Sequence, residues 1–262
     1  MTESQKIIKY IAIAFGFFLI ISIFSSIFMV LNFFNQDSTE NEITTVFKTN
    51  DNISELDIDV STVDLVIRNG NKLIVETNNN YINCKQSNEK LKIKENKHSV
   101  LNNKNNKLII TLPENIQLNV FEMDTGVGKI EIDRINSRVA NIELGAGKVE
   151  FEDLNISEAI KIDGGAGEII IDNGKLNNLD LDMGVGKFTI NSILLGNTDI
   201  DAGVGELNIN LLDSVDNYSI TTSKGLGSIS LNGKSISNVG NGQNKINIDG
   251  GVGSINITTI ER

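Results

Sequence analysis

Two glycines separated by one residue recur through the second half of the chain, and their spacing limits the available folds. Their first glycines are 19 or 20 residues apart four times, then 22 and 26. A repeat of this length is typical of stacked arrays, in which each unit buries its apolar face against its neighbours. We expect structural turns at Gly126 and Gly128, Gly145 and Gly147, Gly165 and Gly167, Gly184 and Gly186, Gly203 and Gly205, Gly225 and Gly227, and Gly251 and Gly253.

The residues after each Gly-x-Gly motif alternate in polarity. Positions two and four after the second glycine are apolar in all seven motifs, as at Phe188 and Ile190, whereas the position between them, such as Thr189, is mostly polar. This alternation predicts a strand with one inward and one outward face. A second strand precedes each motif, and no unit has a helical period. We therefore predict an all-β, β-solenoid-like repeat array over residues 118–262, with about 19–20 residues per coil.

An N-terminal β segment is predicted at residues 53–117, ahead of the array. Alternating runs at 55–60, 63–67, 72–77, 90–95 and 107–112 predict strands, and Asn- and Gly-containing stretches between them predict turns. The polar residues 37–52 are expected to form a linker.

Residues 10–36 have the composition of a membrane anchor. These 27 residues carry no charge and include seven of the eleven Phe. As a helix they would extend about 40 Å, enough to cross a hydrocarbon core of roughly 30 Å. The apolar run is longer than that of a secretory signal peptide, so an uncleaved signal anchor is expected rather than a cleaved leader.

The charges beside this segment predict its orientation. Lys6 and Lys9 precede it, whereas Asp37, Glu40 and Glu42 follow it. The positive-inside tendency then places residues 1–9 in the cytoplasm and the C-terminal domain outside. The sequence thus predicts a single-pass cell-membrane protein with an extracytoplasmic β domain.

Composition argues against several functional classes. One Cys and one His leave no set for a disulfide framework, a Cys-built zinc site or His-centred catalysis. The net charge of −11 argues against nucleic-acid binding. We therefore expect no enzyme, no catalytic residue, no cofactor and no metal site. Cys84 is expected to be a partly buried small residue rather than a reactive thiol.

An acid stands two residues before the first glycine in six of the seven motifs: Asp124, Glu143, Asp163, Asp182, Asp201 and Asp249. Two interpretations remain open. Short acidic side chains can accept hydrogen bonds from nearby backbone N–H groups and so set a turn. Alternatively, the acids form a ladder that binds cations weakly. The turn is favoured, because the known calcium-binding repeat is shorter and carries its Asp after the glycines.

The segments ELDIDVSTVDLVI and LIITLPENIQLNV, together with GVGKIEI, GAGKVEF, GVGKFTI, GVGELNI and GVGSINI, resemble a bacterial family of β-strand repeats. It is the putative-adhesin family of unknown function, similar to the toastrack domain of envelope-stress proteins. The resemblance covers residues 50–262. It implies an all-β repeat domain, often tethered to a membrane, with a role in envelope-stress sensing or surface contact, and it implies no catalytic or ligand-binding residues.

Three functional classes can be weighed on these grounds. A tethered scaffold or sensor of the cell envelope, which binds an envelope protein or a second copy of itself, is favoured. A surface adhesin is the alternative. An enzyme acting on acidic polysaccharide would need a basic cleft, and the repeats contain neither a Lys/Arg cluster on neighbouring coils nor a His.

The C-terminal coil is expected to be the contact end of the array. The chain stops a few residues after its last predicted strand, and uncapped ends of repeat stacks meet a cap or a partner. Asn256, Thr258 and Thr259 would lie at the rim of that surface, above Ile255 and Ile257.

Overall fold

A computed structural model of the protein describes residues 42–49, 52–96, 105–223 and 225–260. The predicted cytoplasmic residues 1–9 and membrane segment 10–36 lie outside this part of the chain. In the part described, no helix is both long and apolar enough to cross a membrane. The domain is all-β, as predicted, with one 3₁₀ turn at Val215–Asn217.

The described residues form eighteen strands. In chain order they are β1 Thr44–Thr49, β2 Glu55–Thr62, β3 Asp64–Gly70, β4 Leu73–Thr77, β5 Ile82–Ser87, β6 Lys90–Glu95, β7 Lys107–Pro113, β8 Leu118–Asp163, β9 Ala166–Ile171, β10 Gly174–Asn177, β11 Leu179–Asp182, β12 Val185–Leu195, β13 Asn197–Leu211, β14 Tyr218–Ser223, β15 Leu226–Leu231, β16 Lys234–Ser235, β17 Asn238–Val239 and β18 Asn244–Thr259.

Parallel, in-register pairing winds these strands into a stack of coils. In β12, Ile190 lies between Ile171 of β9 and Ile209 of β13, so equivalent residues of successive repeats are direct neighbours. The coils are formed, in spatial order, by the described residues of 90–96 with 105–113, 55–70, 118–132, 135–151, 154–171, 174–190, 193–211, 244–259, and 218–223 with 225–231, the last called the outer coil 218–231. At about 4.8 Å per strand spacing, this stack is about 40 Å long.

At both ends of the stack, the spatial order of the coils differs from their order along the chain. β18 pairs with β13 on one side and with β14 and β15 on the other. At the opposite end, β2 and β3 lie between the coil of β6 and β7 and the start of β8. The first and last coils along the chain are therefore each enclosed between two others.

The prediction that the C-terminal coil is the end of the stack is wrong. Asn256 accepts a hydrogen bond from Ser230 at 3.3 Å and donates one to Asn208 at 3.1 Å, so it has a coil on each side. Thr258 donates to Asn210, and the backbone N–H of Thr259 donates to Asn232. Residues 218–231 form the outer coil instead. Periodicity predicts coils, but a long connection such as residues 232–243 allows the chain to leave one position and return to another.

The inward positions of all coils form one apolar core. Phe121, Phe151 and Phe188 are fully buried, and Ile, Leu and Val fill most of the remaining volume. Because each coil packs mainly on its two neighbours, burial of these side chains depends on the stack as a whole.

Antiparallel strands cover the outer coils to different extents. At one end, β5 pairs with the whole of β6, β4 pairs with β7, and β1 pairs with the outer edge of β4. At the other end, β17 pairs with two residues of β14, and β16 pairs with two residues of β15. The coil 218–231 is therefore the less completely covered end.

Adjacent positions in β12 test this register. Ile190→Asp would place an unpaired carboxylate in the core, where Ile190 is fully buried, and we expect a loss of several kcal/mol of unfolding free energy. The matched change Thr189→Asp lies on the outer face and should cost under about 1 kcal/mol. Chemical denaturation of both variants measures the difference, and equal losses would contradict the assignment of faces.

Candidate functional site

The glycines of the Gly-x-Gly motifs line one corner of the stack, where they face the backbone of the neighbouring coil. A Cβ atom added to any of the fourteen would lie 1.7 to 2.2 Å from a backbone carbonyl oxygen of the neighbouring coil. That distance is far inside van der Waals contact, so only glycine fits without displacing backbone. The close approach gives a direct reason for glycine at both motif positions.

The residue between each pair of glycines contributes to an apolar ridge along this corner. Most of these side chains are half-buried between their neighbours, whereas Val252 is 39% exposed and Leu226 is 73% exposed. In order toward the outer coil, the ridge comprises Val127, Ala146, Ala166, Val185, Val204, Val252 and Leu226. Its largest and most exposed member lies on the outer coil.

A matched pair of glycine substitutions tests the role of the corner. At Gly205, which has φ of +139°, an added Cβ would lie 1.8 Å from the Gly186 carbonyl oxygen, so Gly205→Ala should cost more than about 3 kcal/mol. Gly233 has φ of +76° and no atom within 4 Å of such a Cβ, so Gly233→Ala should cost only the left-handed backbone strain of roughly 1–2 kcal/mol. Thermal melting compares them, and similar losses would show that backbone strain, rather than coil contact, explains the glycines.

The acids that precede the motifs lie on an outer surface, which we call the acidic face. Asp182 lies between Asp163 and Asp201, and Asp201 lies next to Asp249 on the following coil. Asp180 and Asp199 form part of a parallel column two residues earlier in each strand. That second column escaped the sequence prediction, although the alternation in LDLD and TDID could have revealed it.

The interpretation of these acids as turn-forming residues is wrong for most of them. Asp182 alone among the six accepts a hydrogen bond from the nearby glycine backbone, at 3.3 Å from the Gly184 N–H. Asp249 accepts one from the Ser223 hydroxyl at 2.5 Å, and Lys161 donates to Asp163 at 3.0 Å. The glycines at the corner are instead explained by the close contact between neighbouring coils. The acidic side chains lie on the outer surface.

Lysines compensate the acidic face near β6. Lys92 lies 2.8 Å from Asp57, and Lys90 lies 3.1 Å from both Asp57 and Glu122. Burial alone would raise the pKa of Asp57, but hydrogen bonds from Lys92 and Lys90 outweigh it and lower that pKa. Hydrogen bonds to Glu122 and Asp57 raise the pKa of Lys90.

Toward the outer coil 218–231, compensation is sparser, with Lys161 paired to Asp163 at 3.0 Å. Asp180, Asp182, Asp199, Asp201 and Asp249 line an open groove, and none of them forms an ion pair with another residue that the structure describes. Two carboxylates about 5 Å apart in water repel each other by somewhat under 1 kcal/mol. Across the described ranges, no group of three or more His, Cys, Asp or Glu side chains has the arrangement of a metal site.

Neutralising one carboxylate tests this repulsion. Asp201→Asn should raise the unfolding free energy by about 0.5–1 kcal/mol and weaken the stabilisation by added NaCl, because fewer like charges remain to be screened. In the control Asp153→Asn, the carboxylate bonded to Arg134 at 2.8 Å is lost, so stability should fall. Urea titrations at low and high salt measure both, and destabilisation by Asp201→Asn would contradict the proposed repulsion.

Cys84 lies on β5, partly buried against the core. Burial raises the pKa of its thiol to about 11, so little thiolate exists at neutral pH. Reactive-thiol chemistry is therefore disfavoured at this position.

Parallel coils, a glycine corner and continuous outer faces define an all-β repeat protein of the toastrack class. The chain belongs to the Toastrack DUF4097 family, which its residues 53–258 match. This match confirms the family resemblance seen in the repeated motifs. It spans both the predicted N-terminal β segment and the Gly-x-Gly array.

Three solved structures to which the chain is similar are described as a cell adhesion protein or as adhesins. A putative cell adhesion protein from Clostridium sporogenes is 21% identical over 84% of this chain and 98% of its own, with a TM-score of 0.34. A putative adhesin from Bacteroides fragilis is 14% identical over 82% and 97%, with a TM-score of 0.42. One from Parabacteroides distasonis is 13% identical over 84% and 98%, with a TM-score of 0.38. No protein of curated function matches the chain.

Proposed function

We propose that the protein is a membrane-tethered, extracytoplasmic scaffold or sensor module of the cell envelope, and that it acts by protein contact rather than catalysis. The observation that carries this proposal is the in-register stack, which holds chemically distinct surfaces in fixed positions. The acidic face and the apolar ridge both run across several coils. Extended surfaces of this kind suit a macromolecular partner.

The tether is proposed from the sequence. The uncharged residues 10–36 are long enough to span a bilayer, and Lys6 and Lys9 precede them. The net negative charge of the outer part would discourage contact with anionic lipid headgroups, which favours a protein partner over the membrane surface.

A surface adhesin is the second candidate. The outer coil 218–231 lies at the opposite end of the stack from β1, where the described domain begins, and it is the less completely covered end. An adhesin would use that end to contact another surface, whereas a scaffold would bind a protein of its own envelope.

Protease accessibility tests the proposed topology. Protease added to intact protoplasts should remove a C-terminal epitope tag, because residues 37–262 would lie outside. A cytoplasmic protein serves as the intactness control, and detergent-treated protoplasts show that the tag can be cleaved. Full protection of the tag in intact protoplasts would refute the topology.

A further inference from the structure

The outer coil leaves one short stretch of strand edge unpaired. Residues 225–228 are all exposed, and β15 pairs with β18 on one side only along this stretch. On the other side β16 begins its pairing at Ser230 and Leu231, and the Ile236 N–H donates to the Ile229 carbonyl. No strand in the described ranges pairs with the outer side of residues 225–228, which we call the open edge.

The backbone groups of the open edge are directed outward. The Ile229 carbonyl points away from β18, since it accepts a hydrogen bond from Ile236 on the outer side. Backbone groups alternate along a strand, so the N–H and C=O of Gly227, two residues earlier, point the same way. Natural proteins usually blunt such an edge with charge, proline or a covering segment. Here the edge carries two glycines, a serine and Leu226.

The position of Leu226 indicates a missing neighbour. Inside the stack, the equivalent residues Val185 and Val204 are half-buried because the coils on both sides pack against them. Among the residues that the structure describes, Leu226 has a strand neighbour, Val252, on one side only, and it is 73% exposed. One further strand on the open edge would cover it as the interior coils cover Val204.

The geometry of the corner defines the chemistry of such a strand. Where two coils that carry the motif meet, the glycines of the coil nearer the outer end face backbone carbonyls of the preceding coil. A Cβ added at Gly253 would lie 1.8 Å from the Gly205 carbonyl oxygen, and a Cβ added at Gly227 would lie 1.7 Å from the Gly253 carbonyl oxygen. A strand added beyond Gly227 in the same register meets the same restriction. It needs glycine at two positions separated by one residue.

We propose that the open edge is a docking site for an extended Gly-x-Gly segment of a partner protein, added in parallel as one more strand. This inference deepens the proposed function, on which it rests only for the premise that the domain acts by protein contact. Main-chain hydrogen bonds to Gly227 would supply affinity, as in other strand-addition complexes, and the paired glycines would supply specificity. Leu226 would pack against the apolar residue between the partner's glycines.

Photo-crosslinking of a synthetic peptide to the full-length protein in detergent micelles tests the proposal. The probe carries the sequence of residues 182–187, Asp-Met-Gly-Val-Gly-Lys, with a photoreactive group at its C-terminus. We expect saturable crosslinking to residues of the outer coil, located by mass spectrometry. A peptide with both glycines replaced by alanine should crosslink at least about tenfold less, because its Cβ atoms would meet edge carbonyls.

Two protein variants make the test specific. Leu226→Lys places a charge on the open edge without removing a buried side chain, and it should abolish crosslinking. Thr189→Lys is the matched control, because Thr189 lies on the outer face of β12, three coils away from the open edge. It should crosslink as wild type does. Circular dichroism melts establish that both variants are folded.

Three outcomes would overturn the proposal. Equal crosslinking of the glycine and alanine peptides would remove the steric basis, and unchanged crosslinking of Leu226→Lys would place the peptide elsewhere. A concentration-dependent dimer that Leu226→Lys abolishes, in a protein that does not crosslink the peptide, would assign the edge to a second copy of this chain. None of these results bears on the protoplast experiment, so the proposed function stands or falls separately.

Discussion

The close approach of successive coils at the glycine corner is the constraint on which the rest of the structure depends. A carbonyl oxygen of one coil occupies nearly the space that a side chain of the next coil would need, at all fourteen motif glycines. With no Cβ at these positions, the seven coils that carry the motif stack in register. In-register stacking in turn aligns the inward residues into one core and the outward residues into continuous columns.

Alignment of like residues has an electrostatic cost. Repeats that share a sequence pattern bring identical charges together, as at Asp163, Asp182, Asp201 and Asp249. Near β6, lysines from a less regular part of the chain offset this repulsion, whereas toward the outer coil Asp182, Asp201 and Asp249 form no ion pair with the residues that the structure describes. Hydrogen-bonded polar ladders, such as Asn256 between Asn208 and Ser230, avoid the problem because an amide both donates and accepts.

The two ends of the stack share one arrangement of coils. In each case the coil at the end of the chain lies one position inside, and an outer coil with antiparallel strands covers it. This arrangement opposes fraying of the first and last coils along the chain, since each of them pairs on two sides. The two ends nevertheless differ in how completely they are covered. Strands β1, β4 and β5 cover one end broadly, whereas β16 and β17 leave the strand edge of residues 225–228 unpaired at the other.

Local pattern was enough to determine the strand class, the inward residues and the glycine corner. Period-2 alternation around Ile190 and the recurrence of Gly-x-Gly depend only on residues close in sequence, and the family match agrees with the resemblance that those motifs carry. Tertiary structure alone decided the order of the coils, the displacement of Asn256, Thr258 and Thr259 from the end to the interior, and the position of the open edge. The physical reason is that seven of the nine coils present nearly the same glycine corner and apolar face to a neighbour. The sequence therefore specifies that coils stack but leaves their order to the connections and to the packing of the whole core.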